Sequence, residues 1–159
     1  QINKLNFKIM LKKTTLLLLL CFLWSCGYEP LYLKKNNLKQ TIKVININGD
    51  QKINKFILSS LGIKEDRSST TGYILTLKSS KKIDIISKDK TGNPSIYKTS
   101  IMVNFSLTNE ETIVKQKEFS SSFTYNNSQS KFDLFQYQKN IELNLINEIS
   151  EKIFIYLRT

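Results

Sequence analysis

Residues 101–108, IMVNFSLT, alternate without a break. Ile101, Val103, Phe105 and Leu107 fall on one side of an extended chain, and Met102, Asn104, Ser106 and Thr108 on the other. Side chains of a strand point alternately to opposite faces, so this pattern predicts an antiparallel strand with one face buried. A sheet that is apolar on one face needs a second layer to cover it. The C-terminal segment offers that layer. Ile141, Leu145, Ile149, Ile153 and Leu157 recur every four residues, and Leu134, Ile146 and Phe154 widen the stripe. Ser130 stands where an N-cap is needed, with Asp133 three residues on, a variant of the capping box.

The other elements follow from local signals. TIKVINI (41–47) is short and β-branched, which predicts a strand. Asp50 can N-cap a helix in which Ile53, Phe56, Ile57, Ser60 and Leu61 share one side, and Gly62 is placed to stop it. YILTLKSSKKIDII (73–86) reads as a second strand and SKDKTGNPS (87–95) as a loop containing Gly92 and Pro94. NEE turns residues 101–108 into TIVKQKEFSSSFTYN, where Phe119, Phe123 and Tyr125 share a face. The order is β-α-β-β-β-α. The expected fold is α+β: a two-layer sandwich of a four-stranded, mostly antiparallel sheet with two helices on one face.

The first 40 residues follow a different logic. From Met10, two lysines (Lys12, Lys13) precede the apolar run 14–24, which contains five consecutive leucines. A bilayer-spanning helix needs about 20 apolar residues, so the run suits a signal peptide rather than a permanent span. Met10 is the expected start, with residues 1–9 as an upstream extension. The run ends in Leu23-Trp24-Ser25-Cys26, a branched apolar residue, a small residue and then cysteine. That is the pattern of the bacterial lipobox. The Cys26 thiol is expected to carry a diacylglycerol, with cleavage before Cys26 and acylation of the freed amine, for which palmitate is the expected chain. Each buried CH₂ contributes about 0.8 kcal/mol, and two or more chains anchor stably. Cys21 leaves with the signal peptide, so no disulfide is expected in the exported chain. The expected organisation is an extension and signal peptide (1–25), a lipidated leader (26–40) and one α+β domain (41–159).

The chain carries +11. Without Lys4, Lys8, Lys12 and Lys13 there remain 20 basic and 13 acidic residues, +7. A basic surface suits an anionic partner, and export argues against nucleic acid. The abundance of Ile, Asn and Lys is also what an AT-rich coding sequence produces without functional demand. Histidine is absent, and so are a Gly-rich phosphate loop, a GxSxG motif and any metal-spaced Cys/His cluster. Glu65-Asp66 and Glu110-Glu111 fall in expected turns. Neither an enzyme nor a resident metal or cofactor is expected.

Cys26, Gly27, Tyr28, Pro30, Leu31 and Tyr32, followed by a β-α-β-β-β-α chain ending in a long helix, resemble the LPS-assembly lipoprotein (LptE) family. Tyr125-Asn126 at the end of the last strand and DKTGN between the second and third strands fit the same family layout. The resemblance implies an outer-membrane lipoprotein that plugs the LptD β-barrel, helps it assemble and binds lipopolysaccharide. Gly27 after the lipidated cysteine suits outer-membrane sorting, with the domain on the periplasmic side. Family members often carry arginine in the strands, where this chain has lysine. For lipopolysaccharide phosphates the candidate residues are Lys78, Lys81 and Lys82, beside the ILTL and IDII runs, and Lys115 and Lys117 on the adjoining hairpin. Lysine suits phosphate as a compact charge. The competing reading of these lysines is protection of sheet edges against aggregation. The competing reading of the whole chain is a lipid-anchored adaptor subunit of another envelope complex.

Overall fold

The computed structural model of the chain describes residues 41–158. The expected signal peptide, Cys26 and the expected leader lie outside the described residues. Strand β1 (Ile42–Gly49) leads into helix α1 (Gln51–Leu61), and strands β2 (Tyr73–Lys88), β3 (Pro94–Asn109) and β4 (Thr112–Asn126) precede helix α2 (Lys131–Arg158). The element order is the expected one. The sheet runs β1-β2-β3-β4 and is mixed. β1 lies parallel to β2, because the α1 crossover returns the chain to the same end, and the other two pairs are antiparallel.

Local chemistry sets the ends of α1. The Asp50 carboxylate accepts hydrogen bonds from the backbone N–H of Lys52 (3.0 Å) and Ile53 (3.2 Å). At the other end Gly62 takes φ +67°, and its N–H donates to the Ser59 carbonyl. Helix α2 begins as its sequence suggests: the Asp133 N–H donates to the Ser130 hydroxyl at 3.2 Å. Gly49 ends β1 at φ +79° and lies so close to β2 that a Cβ there would run into the Ser79 carbonyl oxygen. Only glycine meets both conditions.

The core lies between the sheet and the helix layer. Leu75 and Leu77 of β2, Ile101, Val103, Phe105 and Leu107 of β3, and Phe119 and Tyr125 of β4 are buried on one face. Ile53, Ile57 and Leu61 of α1 and Ile141, Leu145, Ile146, Ile149 and Ile153 of α2 close over them. Helix α1 covers β1 and β2, helix α2 covers β3 and β4, and the two helices touch. Asn54 is fully buried within the α1 stripe, and its amide donates to the Asn48 carbonyl at 2.7 Å, tying α1 to the end of β1.

One stretch differs from its expectation. Residues 87–95, expected as a loop, contain the end of β2 and the start of β3, and only residues 89–93 connect them. The Asp89 carboxylate accepts from the Thr91 hydroxyl (2.6 Å), the Thr91 N–H (2.8 Å) and the Asn93 N–H (2.9 Å). The Thr91 hydroxyl is the main reason the Asp89 carboxyl titrates below its ordinary value, and the backbone N–H groups of Asn93, Thr91 and Gly92 add to it. Side-chain to backbone bonds of this kind make a compact turn, which lets the ladder run almost to the tip.

Candidate functional site

The five candidate lysines are sorted by strand parity and cross-strand register. Lys115 and Lys117 pair in register with Leu107 and Phe105, so they project on the helix-covered side. There they meet the last turns of α2. Lys115 Nζ donates to the Tyr156 carbonyl at 2.9 Å and stands 5.1 Å from the Tyr156 ring centroid. Lys117 Nζ lies 5.3 Å from the same ring and 5.6 Å from that of Phe119. A cation at a helix C-terminus satisfies a late carbonyl and complements the dipole, and ammonium over an aromatic face adds attraction. The Tyr156 ring meets Phe105 and Phe119 edge-on, with centroids 6.3 and 5.7 Å apart. These two lysines therefore hold the end of α2 against the sheet. Their odd positions, shared with Phe119, were a signal in the sequence that they lie on the covered face.

Lys81 also points to the helix side, and its Nζ meets Glu142 of α2 at 2.8 Å. Lys78 and Lys82 project from the other face. Lys82 pairs with Asp84 at 2.8 Å. Lys78 stands in register with Asn104, which is in register with Glu118. The structure thus brings Lys115 and Lys117 together, places Lys81 apart from them on the same face, and puts Lys78 and Lys82 on the opposite one. They form no single cluster.

The face carrying Lys78 and Lys82 has no described helix over it. Its cross-strand rows include Thr76–Ser106, Ser80–Met102–Ser120 and Lys82–Ser100–Ser122. Hydroxyls, amides and ammonium groups dominate, and Met102 is the large apolar side chain at its centre, 42 % exposed. A shallow depression lined by Lys98, Ser100, Met102, Ser120, Ser122 and Glu148 opens beside it. Glu148 belongs to α2. Its carboxyl is held below the ordinary range first by a hydrogen bond from Lys152 (2.7 Å) and then by one from the Ser121 hydroxyl (2.6 Å).

At the opposite end of α2 an aromatic group fixes the first turns. Tyr97 and Tyr125 stack at 5.8 Å, and Tyr137 meets Tyr125 edge-on at 5.8 Å. The Tyr125 hydroxyl lies 3.1 Å from the Thr99 hydroxyl and accepts from the Gln138 amide at 2.9 Å. Among the described residues no three His, Cys, Asp or Glu side chains come together in a way that could hold a metal ion. No described helix is long and apolar enough to cross a membrane.

No protein-family model matches the chain, and no curated protein matches it. Solved structures do. The chain is similar to rare lipoprotein B from Shewanella oneidensis at a TM-score of 0.56 and 10% identity, over 72% of this chain and 93% of that one. It is also similar to a minor lipoprotein from Acinetobacter baumannii at a TM-score of 0.55 and 9% identity, over 74% of this chain and 92% of that one. At such identities the likeness establishes a shared fold.

Proposed function

We propose that the chain is an outer-membrane lipoprotein, anchored through Cys26, that pairs with and plugs an LptD-like β-barrel and binds lipopolysaccharide. The observation that carries this reading is a conjunction. Leu23-Trp24-Ser25-Cys26 followed by GYEPLY stands ahead of a domain whose architecture is shared with two solved bacterial lipoproteins. The uncovered sheet face supports it. Interiors of large outer-membrane barrels are polar and wet, and a face of Thr76, Ser80, Ser100, Asn104, Ser120 and Ser122 suits such a lumen better than lipid or a dry protein interface. Lys78 and Lys82 give that face positive charge suited to lipid phosphates.

Isolation of the affinity-tagged full chain from its own membranes tests the reading. A large β-barrel is expected at equal stoichiometry, together with lipopolysaccharide. Recovery of another envelope complex without a barrel points to the adaptor role. Replacement of Lys78 and Lys82 by Gln is the cleaner charge test, because Lys115 and Lys117 also hold α2. An exposed pair contributes only about 0–1 kcal/mol, so a drop of about two- to fivefold in lipopolysaccharide affinity at low salt is expected, shrinking at high salt. Unchanged binding at both salt concentrations would remove these two lysines from the ligand surface.

A further inference from the structure

Strand β2 is much longer than the strand beside it. β1 pairs with β2 only as far as Ser79, where the Asp50 N–H donates to the Ser79 carbonyl and the chain rises into α1. Beyond that point β2 has no strand neighbour on this edge among the described residues. Helix α1 begins level with Ser79, and α2 lies over β3 and β4. Among the described residues, no element lies over the helix-facing side of β2 beyond Lys81. Leu75, Leu77, Ser79, Lys81, Ile83 and Ile85 alternate onto that side. Leu75 and Leu77 are fully buried, whereas Ile83 and Ile85 are 45 % and 50 % exposed.

Helix α2 forms the wall of this bare strip. The Lys81–Glu142 ion pair joins floor to wall and closes one end. Phe135 lies seven residues before Glu142, which is two turns back on the same side of the helix, and it is 52 % exposed. It stands about 10 Å nearer the hairpin tip than Glu142, while Ile83 and Ile85 lie about 7 and 13 Å beyond Lys81. Counted along helix and strand, Phe135 and the two isoleucines thus both lie on the hairpin-tip side of the Lys81–Glu142 pair. Lysines stand at its margin: Lys139 Nζ sits 4.7 Å from the Phe135 ring centroid, and Lys88 ends β2.

We infer that this trough takes the acyl chain of an anionic amphiphile, its charged head held by the lysines of the rim. An added partner strand is the competing occupant, since no described strand pairs with this edge. Two features disfavour it. The β2–β3 register shifts twice, at Ile85/Ser87 and Ser87/Lys88, and Lys81, Lys82 and Lys88 punctuate the edge. Bulges and edge lysines are the devices by which sheets resist strand addition. They leave an aliphatic floor and a positive margin, which an alkyl chain with an anionic head matches without strand geometry. For its biological ligand the inference rests on the lipopolysaccharide reading above, to which it adds a place for the acyl part.

The test uses the full chain in phosphatidylcholine vesicles and an alkyl phosphate with a diazirine at its chain end. After illumination, adducts are expected on residues 81–88 and 131–143, several-fold above those on Ile113 and Val114, which are equally exposed on β4. The double variant Ile83→Asp/Ile85→Asp should lose about tenfold in labelling with an unchanged melting curve, and a neutral alkyl alcohol probe should label weakly. Labelling spread evenly over exposed apolar residues, or undiminished in the double variant, overturns the inference. Protection of the Ile83 and Ile85 amides by a co-purifying protein, with no alkyl adduct, overturns it in favour of a strand. Unlabelled lipopolysaccharide separates the two readings. If adducts map to the trough but lipopolysaccharide does not compete, the trough stands and the lipopolysaccharide reading falls. If lipopolysaccharide binds and the trough is unlabelled, the trough falls alone.

Discussion

Phe105→Ala lowers the unfolding free energy by about 3–5 kcal/mol, while Asn104→Ala changes it by no more than about 0.5 kcal/mol. The two residues are neighbours in β3 and differ only in face. Phe105 is 1 % exposed, stands between Leu77 and Lys117 in the ladder, and meets the Tyr156 ring edge-on. Its removal leaves a cavity where β3 meets the end of α2, and the strands on either side prevent the site from collapsing. Asn104 projects to the uncovered side between Lys78 and Glu118. Urea melts of the two variants give the comparison directly. Similar midpoints would mean that the sheet carries its pattern one residue out of step.

Cys26→Ser is expected to abolish acylation and cleavage together. The parent should yield a chain beginning at an acylated Cys26, and the variant a longer chain that keeps the apolar run ahead of Cys26 and carries no lipid. In the expected linkage the thiol sulfur is the attachment atom, and a hydroxyl does not replace it in thioether formation. Intact-mass spectrometry of both proteins from membranes decides this. A parent chain with an unmodified amino terminus at another residue would remove the anchor, and with it the outer-membrane part of the proposal.

The sequence carried the fold wherever a local rule sets the structure. Asp50, Gly62 and Ser130 mark helix ends because capping depends on a few adjacent atoms. Residues 101–108 announce their buried face because strand periodicity leaves one choice. Residues 87–95 misled because Gly, Pro, Asn and Asp signal a break without saying how short it is. The Asp89 hydrogen bonds compress that break to five residues. The lysines were legible one strand at a time. Lys115 and Lys117 shared a face, as expected, but their contact with Tyr156 joins residues about forty apart, and no sequence window contains both. Parity within β2 already separates Lys78 and Lys82 from Lys81, but their separation from Lys115 and Lys117 depends on strand register. The stretch of β2 without a described neighbour follows from strand length: β1 stops at Gly49, whereas β2 runs on to Lys88.

The parallel β1–β2 pair has a consequence for the order in which the domain assembles. Two residues join β3 to β4 and five join β2 to β3, whereas residues 50–72 separate β1 from its partner. Closing a longer loop costs more chain entropy before any contact rewards it. The two hairpins are therefore expected to form first, with β1 and α1 docking last. In a chain made from its N-terminus, β1 emerges earliest and finds its place latest. Its Ile42, Val44, Ile45 and Ile47 wait unpaired until β2 exists, a short β-branched segment open to wrong partners in the interval. Folding kinetics of Ile45→Val and Val103→Ala should place the first near φ 0 and the second clearly higher. The β1 edge of the sheet is then the last part of the domain to become native and the first to be lost.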